Sequence, residues 1–407
     1  MIELGLARIA ALLKNTPQTW KAVHVAGTNG KGSICAYVHA MVRASREKAS
    51  CGRFTSPHLV DRWDCITIDD AAVDEARFRH FEALVRRRND ELRLQASEFE
   101  LLTATAFEIF EAAKVDFGVI EVGLGGKLDA TNALKQKAVT VIAKIGLDHQ
   151  SFLGNTLEEI ALHKAGIMRP GIPCVVDASN PSSVLDAIRS HADSLGTSIT
   201  LAELPASGLG GDLSERLEPH QQQNLLCAYE AFHLAYPGHT LSKNELLSIG
   251  ANASWPGRLQ RVSVMGRTEP ILLDGAHNPQ SAEVLSNYVE KRLRGPNEFV
   301  TWMIAASAGK DISEILKILL RFGDKVIAVE FGPVDGMPWV KPTKSAAILD
   351  AVSDVVKKQE LLCVHPLQYG PDVKSAYIAA CNMSLDGPLV VAGSLYLVSD
   401  ILRLLRE

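Results

Sequence analysis

Long apolar runs are missing from this 407-residue chain. No stretch reaches the roughly 20 residues that a membrane-spanning helix needs, so no transmembrane helix is expected. The opening residues 1–6 have neither the basic region of a secretory signal nor an Arg/Ser-rich transit pattern. Paired cysteines are missing too. Cys35, Cys51, Cys65, Cys174, Cys227, Cys363 and Cys381 are scattered, odd in number and form no C-x-x-C. That pattern suits free thiols in a reducing compartment, and a cytoplasmic protein is expected. There is no excess of positive charge: 42 Lys and Arg against 47 Asp and Glu leave a net charge of −5. A nucleic-acid surface is therefore not expected. No internal repeat or low-complexity tract stands out.

What remains is an ordinary globular composition, 47% hydrophobic and 22% charged. The length predicts two domains or three. Apolar runs of strand length recur at 117–122, 139–143, 173–176, 271–273, 299–305, 326–329 and 389–392. They are continuous rather than alternating, which suits parallel strands buried on both faces. Helical patterns between them predict βαβ units and a doubly wound sheet. The Gly- and Ser-rich stretch 206–217 reads as a loop. Trp255-Pro256-Gly257-Arg258 breaks the pattern, and a fresh strand–helix alternation follows. The expected domains are therefore 1–256 and 257–407.

Gly27-Thr28-Asn29-Gly30-Lys31-Gly32-Ser33 is the most informative segment. It follows the apolar run 23–26 and precedes helical spacing at Ile34, Tyr37, Val38, Met41 and Val42. A glycine-rich turn between strand and helix aims backbone N–H groups and the positive helix end at one spot. Lys31 can meet outer phosphates, and the Ser33 hydroxyl can hold Mg²⁺. The match to G-x-x-x-x-G-K-[ST] is not literal, because Gly32 separates Lys31 from Ser33.

Other polar residues fall at predicted strand ends, where open α/β sheets place ligands. Glu121 closes the strand 117–122 and reads first as a Mg²⁺ ligand, with a helix or turn cap as the alternative. Asp129-Ala130-Thr131-Asn132 reads both as a turn former and as a ligand element. His149, in Gly146-Leu147-Asp148-His149, reads as structural or as a metal or phosphate ligand. Lys164 ends a helical stretch that opens near Thr156, where a lysine ordinarily just favours the dipole. Asp274-Gly275-Ala276-His277-Asn278 reads as a turn plus helix cap, or as a second-domain contribution to a nucleotide site.

Eight strings occur in one order: HVAGTNGKGS (24–33), FTSPHL (54–59), EVGLGGKLDATN (121–132), GLDH (146–149), LGNTLEEIALHKAGI (153–167), WPGRL (255–259), DGAHNP (274–279) and GSLYLVSDIL (393–402). Together they resemble the folylpolyglutamate synthase/dihydrofolate synthase family of the Mur ligase superfamily, over the whole chain. The opening and the segment 56–68 resemble the fungal monofunctional type. Where bacterial members carry an Asn-Glu-Arg-Ile-like sequence, this chain has Arg62-Trp63-Asp64-Cys65-Ile66. The resemblance implies a P-loop-containing, doubly wound, mostly parallel sheet domain followed by a smaller Rossmann-like α/β domain.

It also implies an ATP-dependent ligase. ATP, 7,8-dihydropteroate and L-glutamate would give dihydrofolate, ADP and phosphate through an acyl phosphate. By resemblance, Gly27, Thr28, Asn29, Gly30, Lys31, Gly32 and Ser33 hold the phosphates. Ser33, Ser56 and Glu121 serve one Mg²⁺. His149 and Lys164 serve a second, Lys164 as an N6-carboxylysine, and both join Lys31 as catalytic residues. Asn252, Arg258, Asp274 and His277 approach the nucleotide. Phe99, Glu100, Thr103, Asp129 and Ala130 form the pterin side. Lys127 stands where many relatives have arginine, without arginine's forked donors. A monomer that binds neither nucleic acid nor membrane is expected. Folylpolyglutamate synthesis, alone or as a second activity, is the alternative reading. A non-catalytic nucleotide-binding regulator and a cell-wall Mur-type ligase are remoter ones.

Overall fold

The computed structural model describes residues 5–45, 49–203, 217–252, 255–296, 298–361 and 366–406. The expected loop 206–217 falls outside the described residues except for Leu217, as do Cys363 and the first four residues of the opening. The chain divides into two compact units. One holds residues 1–58 and 63–253, the other residues 59–62 and 254–407.

The first unit runs α1 (Ala7–Leu12), β1 (Lys21–Ala26), α2 (Lys31–Ala44), β2 (Cys51–Phe54), β3 (Ile66–Ile68), β4 (Ala71–Ala72), α3 (Glu75–Glu91), α4 (Glu98–Ala113), β5 (Phe117–Glu121), a 3₁₀ turn (Ala130–Ala133) and β6 (Lys137–Ile142). It continues with α5 (Gln150–Leu153), α6 (Leu157–Ala165), β7 (Cys174–Asp177), α7 (Ser182–Leu195), β8 (Ile199–Ala202), α8 (Pro219–Ala235) and α9 (Lys243–Asn252). Its eight strands order as β4-β3-β2-β5-β1-β6-β7-β8. From β2 to β8 every pairing is parallel; β3 and β4 add an antiparallel edge.

β1 and β5 are buried almost throughout, as strands covered on both faces must be. One cover packs α2, α8 and α9 on Val23, Val25, Val119 and Val141. The other packs α1, α3 and α4 on Ala22, Phe54 and Ile120. There Trp20 meets Phe107 and Phe110 edge-on, at 5.3 and 5.4 Å. β1 sits at the centre, so the carboxyl ends of β5, β1 and β6 lie side by side. The turns after all three therefore meet at one sheet edge.

The second unit runs β9 (Gln260–Val262), β10 (Ile271–Leu273), α10 (Pro279–Arg292), β11 (Thr301–Ile304), α11 (Ile312–Leu319), β12 (Lys325–Ala328), α12 (Ser345–Lys358), β13 (Leu367–Gln368), α13 (Val373–Ser384), β14 (Leu389–Ala392) and α14 (Leu395–Leu404). Its strand order is β13-β12-β11-β14-β10-β9, parallel except for β9. Helices α10 to α12 cover one face and α13 and α14 the other. Asp324, fully buried, ties strands to helices. It accepts from Arg294 at 2.6 and 2.9 Å, Trp302 Nε1 at 2.9 Å, and the Val300 and Arg321 N–H groups at 3.0 Å. The architecture is the doubly wound α/β type expected from the strand pattern.

Candidate functional site

The turn between β1 and α2 is held from two sides. Thr28 and Asn29 donate their N–H groups to Lys144 O, at 2.8 and 3.1 Å. The Thr28 hydroxyl lies 3.0 Å from both Gly146 O and Gly146 N. The loop after β6, with Asp148 and His149, is thereby fixed to the glycine turn. Gly30 adopts φ +87° at the mouth of α2. A Cβ there would lie 2.3 Å from Asn224 Oδ1. Glycine is needed for both the conformation and the space.

Lys31 Nζ reaches Thr28 O at 3.2 Å and Glu121 Oε1 at 3.9 Å. Glu121 is buried, and its other oxygen accepts the Ser56 N–H at 3.2 Å. Ser56 precedes a cis proline. Its own hydroxyl is buried and has no hydrogen-bond partner among the described residues. A carboxylate beside an orphaned hydroxyl is a donor pair that a hard divalent cation accepts. Among the described residues no three His, Cys, Asp or Glu side chains converge as a metal cage. A cation here would therefore draw on Glu121, serine hydroxyls and nucleotide oxygens, as Mg²⁺ ordinarily does.

Lys164 is buried in the last turn of α6, and its Nζ donates to Gly27 O at 2.7 Å. Burial, then the neighbouring Lys31 charge, pulls its pKa down to about 7. A lysine at that value is half neutral near physiological pH, and only the neutral amine reacts with CO₂. His149 lies at the start of α5 with φ +53°. Its imidazole is half exposed, 3.9 Å from Asp148 Oδ1.

The residues expected on the pterin side divide. Phe99 stacks with Phe54 at 6.3 Å and lies against Gly123, where a Cβ would sit 2.4 Å from the ring. Glu100 serves the backbone. It closes a capping box with Ser97 and pairs with Arg8 Nε at 3.1 Å. The Thr103 hydroxyl donates to Phe99 O at 2.7 Å. Asp129 is 2% exposed and accepts from Leu124 N and Thr131 N at 2.8 and 2.9 Å and from the Thr131 hydroxyl. Burial raises its pKa, against those hydrogen bonds. It thus folds the glycine turn 123–126 back on itself. Ala130, also buried, opens the 3₁₀ turn.

Asn252 is exposed at the end of α9, and its amide turns onto Ser248 Oγ at 3.0 Å. That partner lies one turn back on its own helix. In the second unit, Asp274 ends β10. It accepts from Leu259 N at 2.7 Å and Ala276 N at 2.8 Å, which locks the Gly257-Arg258-Leu259 turn to the strand end. Burial raises the Asp274 pKa and Arg258 opposes it. A Cβ on Gly275 would sit 2.8 Å from Arg258 Nη1. His277 Nδ1 donates to Gly275 O at 2.7 Å, which fixes the ring against the turn.

Two residues escaped the sequence reading. Asn224 is buried on α8 against Gly30, inside an apolar helix face with no glycine or strand end beside it. His24 is buried mid-strand. Thr131 uses its hydroxyl hydrogen on Asp129, so His24 Nε2–H donates to Thr131 Oγ1 at 2.9 Å. Asn224 carries no local motif, and His24 opens the string 24–33 without a role being read for it.

Residues 258–404 match the family model "Dihydrofolate synthetase, C-terminal domain". A probable dihydrofolate synthetase of Schizosaccharomyces pombe is 37% identical, covering 100% of this chain and 99% of that protein. The dihydrofolate synthetase of Saccharomyces cerevisiae is 36% identical over 99% of this chain and 98% of its own length. A solved bifunctional folylpolyglutamate synthase/dihydrofolate synthase with Mn, AMPPNP and L-glutamate bound is 27% identical. It superposes with a TM-score of 0.81 over 100% of this chain and 95% of that one.

Proposed function

The chain belongs to the folylpolyglutamate synthase/dihydrofolate synthase family, and we propose from that premise a division of labour among its own residues. The enzyme is an ATP-dependent ligase of the dihydrofolate synthetase type. It joins L-glutamate to 7,8-dihydropteroate. The observation that carries the residue assignment is the convergence of Lys31, Glu121 and Lys164 on one glycine turn.

The turn 27–33 cradles the ATP phosphates with backbone N–H groups and the N-terminal end of α2. Lys31 swings from Thr28 O and Glu121 onto the outer phosphates and compensates charge during transfer. A pteroate carboxylate oxygen attacks the γ-phosphorus while the bond to the β,γ-bridging oxygen breaks and ADP leaves. The glutamate nitrogen then attacks the acyl carbon. The carbon–oxygen bond to phosphate breaks, and the amine gives up a proton. Ser33, Ser56 and Glu121 are the groups that would hold one Mg²⁺, and His149 with a carbamylated Lys164 a second. Bound there, Mg²⁺ supplies charge screening between the two anions. Carbamylation turns a cation that repels a metal into an anionic oxygen ligand, and the depressed pKa of Lys164 favours it.

Phe99 supplies an aromatic face for the pterin, while Asp129 and Ala130 shape the turn beside it. Arg258, Asp274 and His277 serve the nucleotide from the strand end of the second unit. The enzyme works as a single chain in the cytoplasm. Six described cysteines are all free, five of them buried, which suits a reducing compartment.

Dihydropteroate labelled with ¹⁸O in its carboxylate tests the route. Transfer of one ¹⁸O into the released phosphate is expected. Phosphate free of label would rule out the acyl phosphate.

A further inference from the structure

Helix α6 carries Lys164, yet it ends without the usual left-handed glycine. Its C-terminal residue, Gly166, keeps φ −59°. The last carbonyls of a helix need partners, and Leu162, Lys164 and Ala165 O find theirs locally, in the Gly166, Ile167 and Met168 N–H groups at 3.2, 3.2 and 2.9 Å. The chain between residues 127 and 137 holds His163 O and the carbonyls just past the helix. His163 O accepts the Lys127 N–H at 2.9 Å. Gly166 O accepts Asn132 Nδ2 at 3.2 Å, and Ile167 O accepts Lys137 Nζ at 2.7 Å. Arg169 turns back to donate to Gly166 O and Met168 O, at 3.3 and 2.9 Å.

Asn132 is the hub. Its Oδ1 receives Lys137 Nζ at 2.7 Å and Arg169 Nη2 at 2.9 Å, and its Nδ2 also reaches Lys127 O at 2.9 Å. Lys137 is only 8% exposed, and both its partners are neutral oxygens. Burial, then the nearby Arg169 charge, pushes its pKa well below the ordinary lysine value, a cost that an apolar residue of the same volume would avoid. A lysine does have one advantage there: it donates to Ile167 O just past the negative end of α6. The same segment packs on α6 with no slack. A Cβ on Gly126 would lie 2.8 Å from Lys164 O, and one on Gly166 would lie 2.4 Å from Lys127 Cβ.

We propose that Lys137, with Asn132 and Arg169, is a positioning residue that seats the last turn of α6 so that Lys164 meets the phosphate loop at Gly27. It touches no substrate and acts through the helix end. The inference rests on the reading that Lys164 serves phosphoryl transfer.

The experiment compares Lys137→Met with Lys164→Ala in steady-state ligation, alongside hydrogen exchange. Displacing a catalytic group by about 1 Å can cost on the order of 100-fold, so kcat of Lys137→Met is expected to fall by that order. The KM values for ATP and dihydropteroate should stay within about threefold, the pattern of a lost transition-state interaction. Amide exchange should quicken at residues 166–168 while β1 stays protected. Arg169→Leu, at a half-exposed position, should show the same split more weakly and stands in if Lys137→Met does not fold. Full kcat in Lys137→Met beside an inactive Lys164→Ala would overturn the inference alone. So would exchange that quickens uniformly, because it marks a merely structural lysine. Full activity of Lys164→Ala would remove the reading beneath it, and the inference with it.

Discussion

Charge placement decides the residue-scale outcomes. Lys31 is the cation nearest the phosphate cradle, with Glu121 3.9 Å away as its resting partner. Lys31→Ala should lower kcat by about 10²–10³-fold or more, the usual loss for a transition-state charge partner. ATP turnover assays check it, and near-normal ligation would contradict the assignment. Lys164 also has a stability signature. Its folded pKa of about 7 lies below the ordinary lysine value of 10.5. Between those values the unfolded chain binds a proton that the folded chain has released. Stability contributed at this site therefore rises with pH across that window and is flat below it. Urea unfolding at pH 7 and pH 9 should show a smaller pH difference in Lys164→Met than in the native chain. Equal slopes would mean that the amine is not desolvated. Local sequence gave Lys164 no more than a helix-end role. Only the packing of α6 against the Gly27 turn brings it to the proposed site.

At the scale of elements, the strands were the legible part. The runs at 117–122, 139–143, 326–329 and 389–392 became buried parallel strands within a residue or two, because burial on both faces leaves a continuous apolar signature. The short edge strands β3 and β4 left none: β4 is two exposed alanines. Ser97-x-x-Glu100 is a capping box in plain sight, and the carboxylate it uses is the one expected on the pterin side. The contact between α8 and the phosphate loop could not be read, because it joins Gly30 to Asn224 across nearly 200 residues of sequence. Gly30→Ala should distort this junction. A non-glycine at positive φ costs about 1–3 kcal/mol, and the Asn224 amide must also move. ADP binding, followed by calorimetry, should weaken about tenfold or more for a loss of that size. Unchanged affinity would mean that the turn tolerates a side chain. In the second unit, Asp324→Ala leaves Arg294 and Trp302 Nε1 without their buried acceptor. A cost of about 3–5 kcal/mol is expected for breaking such a buried pair. Denaturant unfolding checks it, and a loss below 1 kcal/mol would show that water replaces the carboxylate.

For the molecule as a whole, two doubly wound units present polar residues at the carboxyl ends of their strands. The phosphate and metal residues proposed above would serve any ATP-dependent ligation of an acid to an amino acid, so they cannot choose the acid. Full-length similarity to two fungal dihydrofolate synthetases makes that choice. The most direct measurement is ADP release by the purified enzyme with Mg²⁺ and L-glutamate, supplied with dihydropteroate in one reaction and tetrahydrofolate in another. Glutamate-dependent release with dihydropteroate alone is the predicted result. Release with tetrahydrofolate and none with dihydropteroate would contradict it and make the enzyme a folylpolyglutamate synthase.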